Sequence, residues 1–520
     1  MKPQQARRLV RQAALPILMT FAMVIGTALA ATAPTVVGDW EGALSTGKGS
    51  LRVLIHVSQD SNSKLTATMD SPDQGATGIP IPTVSFQAPD FHFEIQRFSA
   101  SYDGKLSKDG SEIAGEWKQG SASLPLNFKR MAATTSRVQA NAGPASTTDS
   151  APIPFELYEN LVYVPVRVGG SRPLRFVIDT GAFNSVLNDK TARELGLQPG
   201  PAEPMSLGSG EGVTKVWRAK DVSFSIGSNR IVCDEVLVLS LQDIEGMSGR
   251  AIDGVLGANL FRRYVVQLDY AARQLRLFDP HTFVYHGAGE SVPLAISGLP
   301  FVTASVTVPG NKRVEGLFVV DTGSHSALGL NSPFVATNNL LDGIRAVSSV
   351  DISLGGAWPK MVGRLPSFQL GDFSLEQPVT DFSKAASGAR SNPSFSGVIG
   401  GEIWRRFTVI FDYSRQKMIL EPNAEVKQPF VDDASGLTLS AEGPDFSAIT
   451  VRHVIEDSPA AESGLREGDV ITGIAEKTGP RAPSLEEMRA MFRLPGREYT
   501  LLVPRGDQVL RLRMKTRQIV

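Results

Sequence analysis

The sequence predicts a mainly β protein built from several modules. Three observations carry that expectation: short apolar segments that alternate at period two between Gly-containing turns, a unit of roughly 140 residues that occurs twice, and a length of 520 residues, enough for about three to five domains. Apolar residues make up 42% and charged residues 20%, ordinary globular usage that argues against a disordered, collagenous or multi-pass membrane chain. The net charge of −1 gives no general pull toward nucleic acid or anionic lipid. The single cysteine, Cys233, excludes an intramolecular disulfide and a thiolate zinc cage. Six histidines lie scattered without paired spacing, so no metal site and no cofactor is expected.

Residues 1–30 read as a signal peptide. Lys2, Arg7, Arg8 and Arg11 form a basic start, an uncharged apolar run follows to about Ala30, and Ala28-Leu29-Ala30 supplies the small-x-small cleavage pattern. A periplasmic or secreted location follows, with bacterial origin inferred from the combination of modules. The membrane is a partner only if this segment stays uncleaved, as an N-terminal anchor near the lower length limit for a span.

Residues 36–131 read as a small β-barrel or sandwich. Leu51–Val57 and Phe91–Ile95 alternate largely at period two, and Asp103-Gly104 and Asp109-Gly110 are turn signals between strands. The clusters around Trp40 and Trp117 resemble those of lipocalin- or avidin-type small barrels; an accessory module without ligand is preferred over a ligand-binding barrel. Residues 132–150, rich in Ala, Thr, Ser and Asn, read as a linker.

The duplication lies beyond the linker. Arg175–Gly181 recurs as Gly316–Gly323, each an apolar run ending in Asp-Thr-Gly. Gly254-Val255-Leu256-Gly257 recurs as Gly397-Val398-Ile399-Gly400, Arg262-Arg263 as Arg405-Arg406, and Asp269-Tyr270 as Asp412-Tyr413. The offsets agree: 142 residues from Asp179 to Asp321 and 143 from Gly257 to Gly400. These repeats define lobes over 151–285 and 286–422. One Asp-Thr-Gly is an Asp-initiated turn as readily as a site. Two at matching places in a repeat point to a pair of carboxylates delivered by strands to tight turns, where Gly permits close backbone approach.

The apolar run before Asp-Thr-Gly and the later apolar-apolar-Gly resemble the hallmark of aspartic proteases of the pepsin and retropepsin type, over about residues 152–422. The resemblance implies two retropepsin-like β-barrel lobes in one chain, with Asp179 and Asp321 as the catalytic pair and peptide or protein as substrate. It implies that Thr180 and Thr322 cross-link the catalytic loops, that Gly181 and Gly323 keep them tight, and that Gly257 and Gly400 lie on strands supporting them. Flaps are expected near Leu207–Trp217 and Leu354–Met361. Neither holds the Tyr that covers substrate in pepsin-like enzymes, and both are glycine-rich. Trp217 and Trp358 are expected in core packing rather than as lids, and His325 as a structural polar residue rather than a base.

Residues 434–518 read as strands plus two short helices. Ser458–Ile471 resembles the PDZ signature of bacterial exported proteases, with Pro459 at a helix start, Gly464 at its end and a capping box from Ser484 to Glu487. The resemblance implies an α+β PDZ-like domain in which Gly436, Leu437, Thr438 and Leu439 hold a peptide or C-terminal tail by strand addition. The function expected is therefore an exported aspartic endopeptidase. The alternative is a non-catalytic peptide-binding protein that uses the same lobes and PDZ-like module for capture.

Overall fold

The computed structural model describes residues 35–46, 49–59, 64–71, 76–95, 100–119, 122–131, 151–198, 200–205, 207–476 and 482–520. The signal segment and the linker predicted over 132–150 lie outside the described residues. The described chain is mainly β, and within it no helix is long and apolar enough to cross a membrane.

The described residues between 38 and 130 form a nine-stranded antiparallel sheet in which Gly38–Thr46 pairs with both Gly49–Gln59 and Ala122–Arg130. Alternation buries one face: Trp40, Ile55, Phe93, Tyr102, Trp117 and Phe128 fill the interior with aromatic edge-to-face and stacked contacts. Asp109-Gly110 is the expected turn, with Gly110 at φ 72°. Asp103-Gly104 is not a turn; it lies inside the strand Ala100–Leu106 and Gly104 pairs with Gly115. The Tyr102 ring crosses over both glycines, and a Cβ at Gly104 would sit 2.6 Å from its hydroxyl. Close approach, not chain reversal, is what these glycines serve.

The two copies of the repeat fold alike. In the first, Leu174–Ile178 pairs in parallel with Gly254–Leu256, which also pairs with Val186–Asn188. In the second, Lys312–Val320 pairs in parallel with Gly397–Ile399, which also pairs with Leu328–Leu330. Buried on both faces, the central strands read as continuous apolar runs, and fully buried Ile178 and Val320 fix their register.

A six-stranded sheet joins the copies, with Val265–Asp269 antiparallel to Phe407–Asp412. In it Gln267 pairs with Ile410, its own counterpart 143 positions on, so the pseudo-two-fold axis of the repeat passes through that pair. The axis is what brings the two Asp-Thr-Gly turns together.

Among its described residues, the C-terminal region has two three-stranded sheets and two helices, Pro459–Glu462 and Leu485–Phe492. The Ser484/Glu487 capping box is formed in both directions, and Pro459 occupies the first helical turn. The strand Leu437–Glu442 is at a sheet edge, paired on one side with Ala448–Val454.

Candidate active site

Each Asp-Thr-Gly turn is hung from a buried parallel strand pair. The Asp179 N–H donates to Leu256 O and the Asp321 N–H to Ile399 O, both at 3.0 Å. Beneath the turns, Gly257 and Gly400 lie against backbone: a Cβ at Gly257 would press on Ala182 O and Asn184 O, and one at Gly400 would lie 3.0 Å from Ser324 O. The neighbouring Ala258 N–H donates to Ala182 O at 2.8 Å, and Gly401 N–H to Ser324 O at 2.6 Å.

The turns are locked across the axis. Thr180 N–H donates to the Thr322 hydroxyl and Thr322 N–H to the Thr180 hydroxyl, each at 3.0 Å. The hydroxyls in turn donate to Val320 O at 2.7 Å and Ile178 O at 2.8 Å. Both threonines are fully buried. This lattice leaves no room for side chains at the next position: a Cβ at Gly181 would lie 2.6 Å from the Asp321 carboxyl, and one at Gly323 would strike that of Asp179.

Asp179 and Asp321 therefore face each other, each carboxyl set against the opposite turn. Each also accepts from its own turn, Asp179 from Gly181 N–H at 2.7 Å and Asp321 from Gly323 N–H at 2.9 Å. Burial and then the charge of Asp321 push the Asp179 carboxyl well above the usual carboxylate range. Burial raises Asp321 too, opposed by the bond from Asp179 and then by the positive field of Arg390. Both carboxyls are thus raised, and they titrate as one coupled pair.

The second lobe supplies that field asymmetrically. Arg390 is buried; its Nε donates to Ser209 Oγ at 3.0 Å and its guanidinium lies 4.9 Å from the Trp358 ring centroid. The Arg390 Nη1 and Trp358 Nε1 atoms are buried without a hydrogen-bond partner among the described residues. Nearby, Lys360 bridges Asp351 at 3.2 Å and Asp381 at 2.9 Å. Burial opposes the charges of this pair, but the Lys360 ammonium holds the Asp351 carboxyl down at about 2. The position of Arg390 in the repeat falls, in the first lobe, on Met247 of the Gln242–Ser248 helix.

The two glycine-rich tips meet each other. Gly210 N–H donates to Leu354 O at 3.0 Å, Gly212 N–H to Gly355 O at 2.8 Å, and Ser209 N–H to Ser353 Oγ at 3.2 Å. The Glu211 carboxylate accepts from Ala386 N–H at 2.7 Å. Gly208 and Gly355 have φ of 70° and 83°, the left-handed region that favours glycine. Trp217 and Trp358 are buried, and the backbone carbonyl of His325 accepts from Asn160 Nδ2 at 2.7 Å.

A family model described as aspartyl protease matches residues 164–260, and a PDZ domain model matches residues 430–516. The chain combines an aspartyl-protease region with a C-terminal PDZ domain. An aspartic proteinase from Irpex lacteus aligns with a TM-score of 0.36 and 14% identity, over 54% of this chain and 98% of that one. No curated protein matches the chain.

In the PDZ domain, Gly436 has φ 81° and packs on Ser458, where a Cβ would collide. The loop N–H groups are already engaged: Asp433 accepts from Ser435 N–H at 2.9 Å, Gly436 N–H at 2.5 Å and Leu437 N–H at 3.4 Å. Thr438 donates through its hydroxyl to Val350 O at 3.4 Å, and the Leu439 carbonyl accepts from Arg489 Nη2 at 2.9 Å.

Sequence reasoning missed Arg390, the Lys360 bridge and Asp433. Arg390 and Lys360 lie in only one copy of the repeat, so the search that found the aspartates passes over them. Asp433 had a local signal, an Asp two residues before Ser435-Gly436, of the kind that bonds its own backbone.

Proposed function

We propose that the protein is an exported aspartic endopeptidase that hydrolyses peptide bonds with a water activated by Asp179 and Asp321, and that its PDZ domain recruits a peptide or protein. The observation that carries this is the threonine lattice, which sets the Asp179 and Asp321 carboxyls against one another across the lobe boundary. Two adjacent carboxyls share one proton, because two negative charges side by side repel and both cannot readily ionise. The ionised member, Asp321, takes a proton from the water as it attacks the scissile carbonyl carbon. The protonated member, Asp179, donates to the carbonyl oxygen. Asp321 then gives its proton to the leaving nitrogen as the C–N bond breaks, while one hydroxyl of the tetrahedral intermediate returns a proton to Asp179 as the new carboxyl forms, so the pair regains its singly protonated state. The positive field of Arg390, which favours the ionised form of Asp321, supports this division of roles. The interlocked tips support a covered, water-poor cleft in which these interactions are strong. Export is supported by the basic start and apolar run of residues 1–30.

The testing experiment is digestion of a peptide library from pH 3 to 8 with mass-spectrometric mapping of cuts. Cuts that vanish in both Asp179→Asn and Asp321→Asn support the proposal. Peptide binding without cleavage at any pH would instead make the protein a capture module.

A further inference from the structure

The groove of the PDZ domain is not open to solvent. A peptide joining by strand addition uses the outward backbone groups of the edge strand Leu437–Glu442 and lies between that strand and the helix Leu485–Phe492. Residues 439 and 441 present their carbonyls to the same edge, since alternate residues of a strand do so. Both are covered. Arg489 reaches across from the Leu485–Phe492 helix to Leu439 O at 2.9 Å. The Gln242–Ser248 helix of the first lobe covers Ala441 O, which would lie 3.5 Å from a Cβ at Gly246. The glycine ending that helix, Gly249, is just as close: a Cβ there would lie 3.1 Å from Leu485 Cβ and 3.6 Å from Ala441 Cβ. Ion pairs fasten the flanks, Arg493 to Glu159 at 2.8 Å and Arg250 to Glu486 at 3.6 Å.

The same helix reaches the flap tips from its other side. Ile244 packs into an apolar cluster that contains Leu207 from one tip and Leu354 from the other. The outer strand of the second flap, Ala346–Ser353, touches both the helix and the PDZ domain, the latter through Val350 O and the Thr438 hydroxyl. The helix thus contacts groove and flaps at once.

We propose that the PDZ groove is an activating receptor for an internal, extended peptide segment. Such a segment displaces the Gln242–Ser248 helix from the Leu437–Glu442 edge and thereby withdraws Ile244 from under the two flap tips. An internal segment fits better than a free C-terminus, because the loop N–H groups that would hold a terminal carboxylate already hold the Asp433 carboxylate. The proposal rests on the protease function proposed above only for its consequence, faster cleavage. The coupling of groove to flaps is separately measurable.

The test uses the full chain in two variants. Gly249→Cys with Ala441→Cys places Cβ atoms 3.6 Å apart, within the range a disulfide spans, and the native Cys233 is buried. Gly246→Trp drives a wedge between helix and edge strand. Amide hydrogen exchange over 203–216 and 346–364 reports the flaps, and a fluorogenic peptide pool reports cleavage. Oxidation of the double cysteine variant should slow flap exchange and cleavage about five-fold or more relative to the same protein reduced, and the wedge should speed both. A random decapeptide pool with amidated C-termini should speed flap exchange as well as the free-acid pool does, and neither should act on the oxidised variant. Flap exchange indifferent to the disulfide, or a response confined to free-acid peptides, would overturn the proposal. Exchange that responds as expected in proteins that never cleave would leave the coupling standing and remove the protease function instead.

Discussion

Thr180 and Thr322 trade hydrogen bonds across the lobe boundary, each backbone N–H donating to the other's hydroxyl at 3.0 Å. The exchange makes the position of either aspartate a property of both lobes. Thr322→Val removes the acceptor for Thr180 N–H and the donor to Ile178 O, leaving two buried backbone groups unpaired. A loss of about 2–4 kcal/mol in denaturant unfolding is expected, with a larger fall in kcat than in KM. Thr322→Ser should recover most of both.

Asp179→Asn and Asp321→Asn should each reduce kcat by about 1,000-fold or more, and the double variant should add little, because the two act as one unit. Retention of full cleavage by either single variant would place the chemistry elsewhere. Asp179→Asn should also raise the melting temperature at neutral pH. The sign follows from linkage: a carboxyl whose folded pKa is raised binds protons more tightly folded than unfolded, so its stability cost appears as pH rises past the unfolded value of about 4. The gain should therefore fade below that pH.

Cleavage should follow a bell in pH, since the working pair carries one proton. Both carboxyls are raised, so the bell should sit above the ordinary carboxylate range rather than within it. Arg390 faces Asp321, Asp381 and Asp351, and its charge favours the ionised form of Asp321. Arg390→Gln should move the acid limb of kcat/KM to higher pH, and Arg390→Lys should restore it in part. A limb that stays in place as rate or stability falls would give Arg390 a purely structural role.

Lys360→Met leaves Asp351 and Asp381 buried without their shared cation, at an expected cost of about 3–5 kcal/mol at neutral pH. The Asp351 carboxyl is depressed to about 2, so in the parent protein this contribution is present above the unfolded value near 4 and is lost as pH falls toward 2. Urea unfolding at pH 7 and pH 3 should show the two proteins closer in stability at the lower pH.

Gly181→Ala tests the tightness of the turn itself. The added methyl would lie 2.6 Å from the Asp321 carboxyl, so the pair must separate even if the lobes stay folded. Cleavage should drop about 100-fold or more with a near-unchanged circular dichroism spectrum.

What the sequence made legible was whatever it states twice. Asp179 and Asp321 could be found because an apolar strand, a turn and a supporting Gly strand recur at one offset, and the same repetition marks the shared sheet. The resemblance placed flaps at the two glycine-rich tips, but nothing in the sequence pointed to their direct bonding, which joins Gly210 and Leu354 across 144 positions. Arg390 was hidden because its counterpart is Met247. Asp103-Gly104 misled because the same dipeptide that turns a hairpin also makes room for an aromatic ring. The cover on the Leu437–Glu442 edge was out of reach, since it depends on how three modules stack rather than on any local pattern.

The pairing of Gln267 with Ile410 in a sheet built from both lobes has a consequence for how the chain is assembled. Each half exposes, on its own, an unpaired strand edge where the other half belongs. Neither half is then a self-sufficient folding unit, and the stretch 279–289 that links them serves chiefly to keep the two at high local concentration. A protease that nicked that stretch would produce two fragments on a denaturing gel and one particle in solution, still carrying both carboxyls in one cleft.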